Sequence, residues 1–157
     1  MTLYLLPDVN ARLRPKLFAT LRPGARIVSH DYDLGGWPPD ATILVDAPDK
    51  PVNVEKTSRL HYWLVPAKID GRWKGRAAGK AVALEVDQRY QRVSGVLRWS
   101  GREYRFSDQR IEGERLAMSL ESRGRPKLEL SLRADGASLV GEVREGRGRS
   151  VDVRFGR

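Results

Sequence analysis

The chain has 157 residues and a mass of 17.7 kDa, with no cysteine, two histidines, and 29 Lys+Arg against 20 Asp+Glu for a net charge of +9. That length fits one ordinary domain or two small ones, and 40% hydrophobic with 31% charged residues is a globular composition. The missing cysteines exclude a disulfide framework, a thiol nucleophile and thiolate metal sites, and two histidines, His30 and His61, are too few for a multi-His metal centre.

The charge is placed unevenly. Residues 1–67 carry 8 basic and 7 acidic side chains, whereas residues 68–157 carry 21 and 13. A near-neutral part followed by a basic part predicts two differently built regions, with the break at 67/68. An anionic partner is compatible with this balance, though charge alone names none. No stretch approaches the ~18 apolar residues of a membrane span. The opening Met1-Thr2-Leu3-Tyr4-Leu5-Leu6-Pro7 lacks the basic lead and cleavage site of a signal peptide, so cytoplasmic residence is the default expectation.

In chain order, Leu3-Tyr4-Leu5-Leu6 reads as a strand buried on both faces and stopped by Pro7. Asp8 is placed to cap a helix running to about Leu21, with Val9, Leu13, Leu17 and Leu21 on one face. Pro15 falls inside it and predicts a kink or a split. Gly24 suits the left-handed position after the helix. Arg26–His30 reads as a second strand, parallel to the first, which makes a βαβ unit. Residues 34–40, with Gly35, Gly36, Pro38 and Pro39, form a loop. Thr42–Val45 is a short strand, 46–58 a polar loop, and Arg59–Ala67 another strand.

Beyond residue 68 the pattern changes. Gly71–Gly79 reads as a basic, glycine-rich connector, and after it apolar residues recur at every second position. Val82, Leu84 and Val86 begin a series that ends with Val151, Val153 and Phe155. Glycine-bearing turns every ~8–12 residues separate the segments, the signature of an antiparallel meander, either a curled sheet or a small barrel. The fold class expected is therefore an α/β fragment, a partial Rossmann-like βαβ, followed by mainly antiparallel β structure.

The strings Tyr4-Leu5-Leu6-Pro7-Asp8-Val9-Asn10, Leu13-Arg14-Pro15-Lys16-Leu17, Leu21–Asp33 and Trp37-Pro38-Pro39-Asp40 resemble the later half of a group of bacterial class I S-adenosylmethionine-dependent methyltransferases. They are more loosely similar to the mitochondrial protein-lysine methyltransferases. The resemblance is strong over residues 2–40 and continues through Tyr62–Ala67 and Gly71-Arg72-Trp73. It implies that residues 2–7 and 26–31 are the fourth and fifth strands of a Rossmann-like sheet, so that 1–67 is the later half of such a domain and 68–157 a basic β extension. In that fold the cofactor lies across the carboxyl ends of the first two strands. No Gly-x-Gly-x-Gly loop follows an apolar strand in this sequence, and neither Gly35-Gly36 nor Gly75–Gly79 stands in the right context. The chain is therefore expected not to bind S-adenosylmethionine alone and to be a truncated form, inactive unless an upstream half supplies the missing strands.

By the same resemblance, Tyr4, Pro7, Asp8 and Asn10 stand where the methyl is transferred. Pro7 would shape a wall, and Asp8 or Asn10 would orient an amine or hydroxyl; the plainer reading makes Asp8 a helix cap and Pro7 a strand stop. His30, Asp31, Asp33 and Trp37 are the acceptor-side candidates. Adjacent strand residues point to opposite faces, so only one of His30 and Asp31 is expected to face the site. Trp37 either lines an acceptor pocket or packs over the sheet, and His61 reads as structural. Partners consistent with these features are a protein substrate, a second copy of the chain, or an upstream methyltransferase half. The alternative function is a non-enzymatic basic β module for an acidic partner or nucleic acid, with Trp73 among Arg72, Lys74 and Arg76 as a stacking platform. Nucleic acid is the less favoured partner because no recognition motif accompanies it.

Overall fold

A computed structural model of the protein describes residues 1–51, 56–121 and 124–157. It divides into two compact units, Met1–Val65 and Pro66–Arg157.

In the first unit, β1 (Thr2–Leu3) is followed by α1 (Pro7–Thr20) and β2 (Arg26–His30), and β1 pairs parallel with β2. Strands β3 (Ala41–Asp46) and β4 (Thr57–Leu64) then form an antiparallel hairpin, with β4 beside β2, giving the order β1-β2-β4-β3. One parallel pair joined through a helix, in a sheet otherwise antiparallel, does not define a Rossmann-like sheet. The strand read at residues 3–6 is only Thr2–Leu3, because the backbone turns into the helix at Leu6. Pro7 opens that helix: its fixed φ and missing N–H suit the first helical position. Leu6 rather than Asp8 is the N-cap, and no side chain caps the end. Asp8 sits exposed in the first turn, where its charge complements the helix dipole. Pro15 does not split α1, which is a single element through Thr20. Gly24 adopts φ 79° as expected, and its N–H donates to Val65 O at 2.8 Å. Of the 46–58 loop reading, Asp46 belongs to β3 and Thr57 and Ser58 to β4, and its part at 52–55 lies outside the described residues.

The second unit is a closed antiparallel barrel of eight strands: β5 (Gly71–Ala77), β6 (Lys80–Arg89), β7 (Arg92–Trp99), β8 (Arg102–Glu112), β9 (Arg115–Leu120), β10 (Leu128–Asp135), β11 (Ser138–Glu145) and β12 (Val151–Gly156). Neighbours in sequence pair throughout, and β12 closes the ring on β5 with Phe155 opposite Gly75. Residues 71–79 are thus not a connector. Gly71–Ala77 is a barrel strand, and Ala78-Gly79 turns it into β6.

Period-2 alternation explains the barrel: one face of every strand is buried inside and the other is wet. Trp73, Leu84, Leu97, Tyr104, Leu116, Leu128 and Phe155 are all at most 2% exposed and fill the interior. Gly95 and Gly141 let facing strands come close; a Cβ at either would lie 1.9 Å from the carbonyl oxygen of Glu85 or Ser131. Trp73 packs inside with its indole N–H donating to Ile69 O at 2.8 Å, so it offers no face to a base, and the stacking platform expected there does not exist. No helix among the described residues is long and apolar enough to cross a membrane.

Candidate functional site

Within Met1–Val65, the segments leaving the carboxyl ends of β1 and β2 border a cleft lined by Tyr4, Leu5, Leu6, His30, Asp31, Tyr32 and Lys50. Three of the residues singled out from sequence, Tyr4, His30 and Asp31, meet there. The Tyr4 ring stacks on the His30 imidazole with centroids 4.7 Å apart, although Tyr4 itself is 78% exposed. Leu6 and Tyr32 add further exposed apolar surface.

His30 and Asp31 were expected to diverge. They do not, because Asp31 takes φ 61°, a left-handed conformation that short polar residues tolerate, and this breaks the strand alternation. The His30 Nδ1 lies 3.4 Å from Asp31 Oδ2, and Nε2 lies 3.0 Å from Ser58 Oγ. Aspartate, histidine and serine therefore follow one another in space. Ser58 is only 4% exposed and does not line the cleft, so its hydroxyl holds the ring rather than attacking anything. With Nε2 bonded to Ser58 and Nδ1 beside the Asp31 carboxylate, His30 presents its ring to the cleft.

Asp31 is the electrostatic centre. Its Oδ2 accepts from the Lys50 ammonium, and its Oδ1 accepts from the Arg59 N–H at 3.0 Å. Burial works to raise its pKa, but the Lys50 and Arg59 hydrogen bonds and the charges of His30 and Lys50 outweigh it, and the carboxyl titrates below its ordinary 3.8. A depressed carboxyl stabilises the fold above its unfolded pKa and loses that contribution as pH falls through the folded value. The Met1–Val65 unit is therefore expected to weaken below about pH 4. Replacing Lys50→Met should move the Asp31 midpoint up towards 3.8 in a carbon-13 carboxyl titration. An unmoved midpoint would remove Lys50 as the cause.

The other candidates serve the scaffold. Asn10 is fully buried, and its amide nitrogen reaches Ser29 Oγ and the carbonyls of Tyr32 and Asp33 at 3.1–3.3 Å. It ties α1 to the segment after β2 and cannot reach an acceptor. Asp33 accepts the Gly35 N–H at 2.8 Å and shapes the loop. Trp37 is fully buried, with Phe18 edge-on at 5.3 Å and its carbonyl accepting from the Trp63 indole, so it packs in the core and does not line the cleft. Pro7 and Asp8 are exposed on α1 and are not among the cleft's lining residues. His61 is structural, bonded to Thr42 Oγ1 at 2.8 Å. Sequence reasoning missed Lys50, Ser58 and Arg59. The β2–β4 pairing, with His30 opposite Leu60, brings Ser58 and Arg59 beside His30 and Asp31, and the β3–β4 connection brings Lys50.

The cleft does not fit S-adenosylmethionine by itself. The turns after β1 and β2 are Leu5-Leu6-Pro7 and Asp31-Tyr32-Asp33, which offer side chains where a nucleotide-binding turn offers bare glycine backbone. The cleft's one carboxylate is already committed to Lys50 and Arg59.

No family model matches the chain. Among curated proteins, it is 46% identical over 46 residues to a protein-lysine N-methyltransferase of Saccharolobus islandicus (strain REY15A), a match covering 29% of this chain and 29% of that protein. The chain thus spans under a third of the relative it matches. Among solved structures, it is 44% identical to an RNA methyltransferase from Salinibacter ruber crystallised in complex with S-adenosyl-L-homocysteine, over 43% of this chain and 38% of that one. The TM-score of 0.34 is too low for a shared fold to be drawn from it. Over part of its length, then, the chain is related to a methyltransferase family, as the sequence resemblance implied.

Proposed function

We propose that Met1–Val65 forms the acceptor side of a methyltransferase site and that this chain does not hold the methyl donor alone. The 46% identity to a lysine methyltransferase carries the reading, and the cleft at the ends of β1 and β2 is where it would act. Methyl transfer depends mainly on holding the acceptor in line with the donor methyl. The stacked Tyr4 and His30 rings, braced by Ser58 and Asp31, make a fixed aromatic wall suited to a cationic or planar acceptor. A protein amine fits that description. The donor-binding strands would come from an upstream half of the same Rossmann-like sheet, of which β1-α1-β2 would be the fourth strand, its helix and the fifth strand.

Isothermal titration of the 157-residue chain with S-adenosylmethionine and S-adenosylhomocysteine tests this. No binding is expected at micromolar concentrations. A micromolar Kd for either would overturn the division of labour.

A further inference from the structure

Many arginines on the barrel strands are balanced by carboxylates. Arg72 lies 3.2 Å from Glu85, Arg92 3.1 Å from Asp108, Arg98 3.4 Å from Glu103, and Arg102 2.8 Å from Glu145. One row differs. Followed through the strand pairings, Arg115 on β9 stands opposite Arg133 on β10, Arg133 opposite Val140 on β11, Val140 opposite Arg154 on β12, and Arg154 opposite Arg76 on β5. Directly opposite residues share a face, and all four arginines are exposed. Among the described residues none of them forms an ion pair. Arg76 donates to Gly79 O at 3.3 Å and Arg154 to Ser138 Oγ at 3.2 Å. Glu142 and Asp152 lie two residues further along β11 and β12, opposite each other, and Glu112 on β8 stands opposite Arg115 at the end of the row but lies 3.9 Å from Arg110.

Like charges directly opposite cost stability, and the rest of the wall shows that neutralised pairs are available to this fold. At a strand spacing of ~4.8 Å the row spans about 19 Å on a closed, rigid sheet. We propose that the Arg115–Arg133–Arg154–Arg76 row binds the phosphate backbone of a nucleic-acid duplex. From β9 round to β5 every charged position of the row is arginine, whose fork contacts phosphate oxygens bidentately. Trp73, Trp99, Tyr104, Phe106 and Phe155 are buried and Tyr90 lies in the β6–β7 turn away from the row, so nothing on the row stacks on unpaired bases as a single strand requires. The exposed large hydrophobics all lie in Met1–Val65, which leaves the row without the apolar centre of a protein interface. This inference is independent of the methyltransferase reading.

Fluorescence anisotropy with a labelled 20-base-pair DNA duplex and its RNA counterpart, using the full chain over a salt series, tests it. Four phosphate contacts give a slope of log K on log salt of about −3.6 for DNA. Arg76, Arg115, Arg133 and Arg154 changed together to Gln should weaken binding at least thirtyfold and flatten the slope. The same variant should unfold at an equal or higher temperature, because the like-charge contacts are relieved. Changing Arg72, Arg92, Arg98 and Arg105 to Gln removes equal charge from the neutralised wall and should cost less than threefold. Three results would each overturn the proposal: equal loss in both variants, tighter binding to polyglutamate or single strands than to either duplex, or no binding at 50 mM salt.

Discussion

Replacing Trp73→Ala should cost the barrel about 3–5 kcal/mol, the usual loss for a buried tryptophan. The indole is 2% exposed and its N–H is held by Ile69 O, while the Arg157 guanidinium lies 4.8 Å from the ring centroid. Truncation therefore removes packing, a buried hydrogen bond and a cation–π contact together. Trp73→Phe should recover much of the loss and leave the Ile69 carbonyl unpaired. Hydrogen exchange of the β5, β6 and β12 amides reads the effect within the barrel. Unchanged protection in Trp73→Ala would return Trp73 to the surface role that its cationic neighbours suggest in the sequence.

Asn10→Asp should destabilise Met1–Val65 by about 3 kcal/mol at neutral pH, as expected for an uncompensated buried charge. The two side chains have nearly the same shape. What changes is that a donor becomes an acceptor facing Ser29 Oγ and the Tyr32 and Asp33 carbonyls. Such a carboxyl is pushed up in the folded state, so the penalty is small below its unfolded pKa near 3.9 and grows as pH rises through the folded value. Urea denaturation of variant and parent at pH 4 and pH 7, with exchange of the β2 and β4 amides, separates the two regimes. A difference under 1 kcal/mol at pH 7 would show that Asn10 is not the pin between α1 and the segment after β2.

The barrel was legible because burial inside a closed sheet imposes one rule on every strand, and Leu116-Ala117-Met118-Ser119-Leu120 states that rule within five residues. Gly71–Ala77 escaped because its alternation runs Trp73, Gly75, Ala77, so a glycine stands where an apolar residue would mark the pattern and cations crowd the other face. Arg26–His30 was read to the residue, since Ile27 and Ser29 point into the unit between turn signals. The cleft was half legible. Tyr4, His30 and Asp31 follow from the ends of β1 and β2, but a positive φ at an aspartate leaves no local mark, and Lys50 arrives through hairpin register alone. Asn10 and Trp37 look functional in sequence because a buried amide and a buried indole use the same residue types as a binding site.

The closing pair of the barrel sets its order of events. Val153 meets Ala77 only after the six intervening strands have been made. As the chain leaves the ribosome, β5 keeps one bare hydrogen-bonding edge until the last strand emerges, and that edge carries Arg72, Lys74 and Arg76. Cations on an unpaired edge discourage its capture by other chains. Arg76, which opposes Arg154 in the finished wall, thus helps guard the nascent edge.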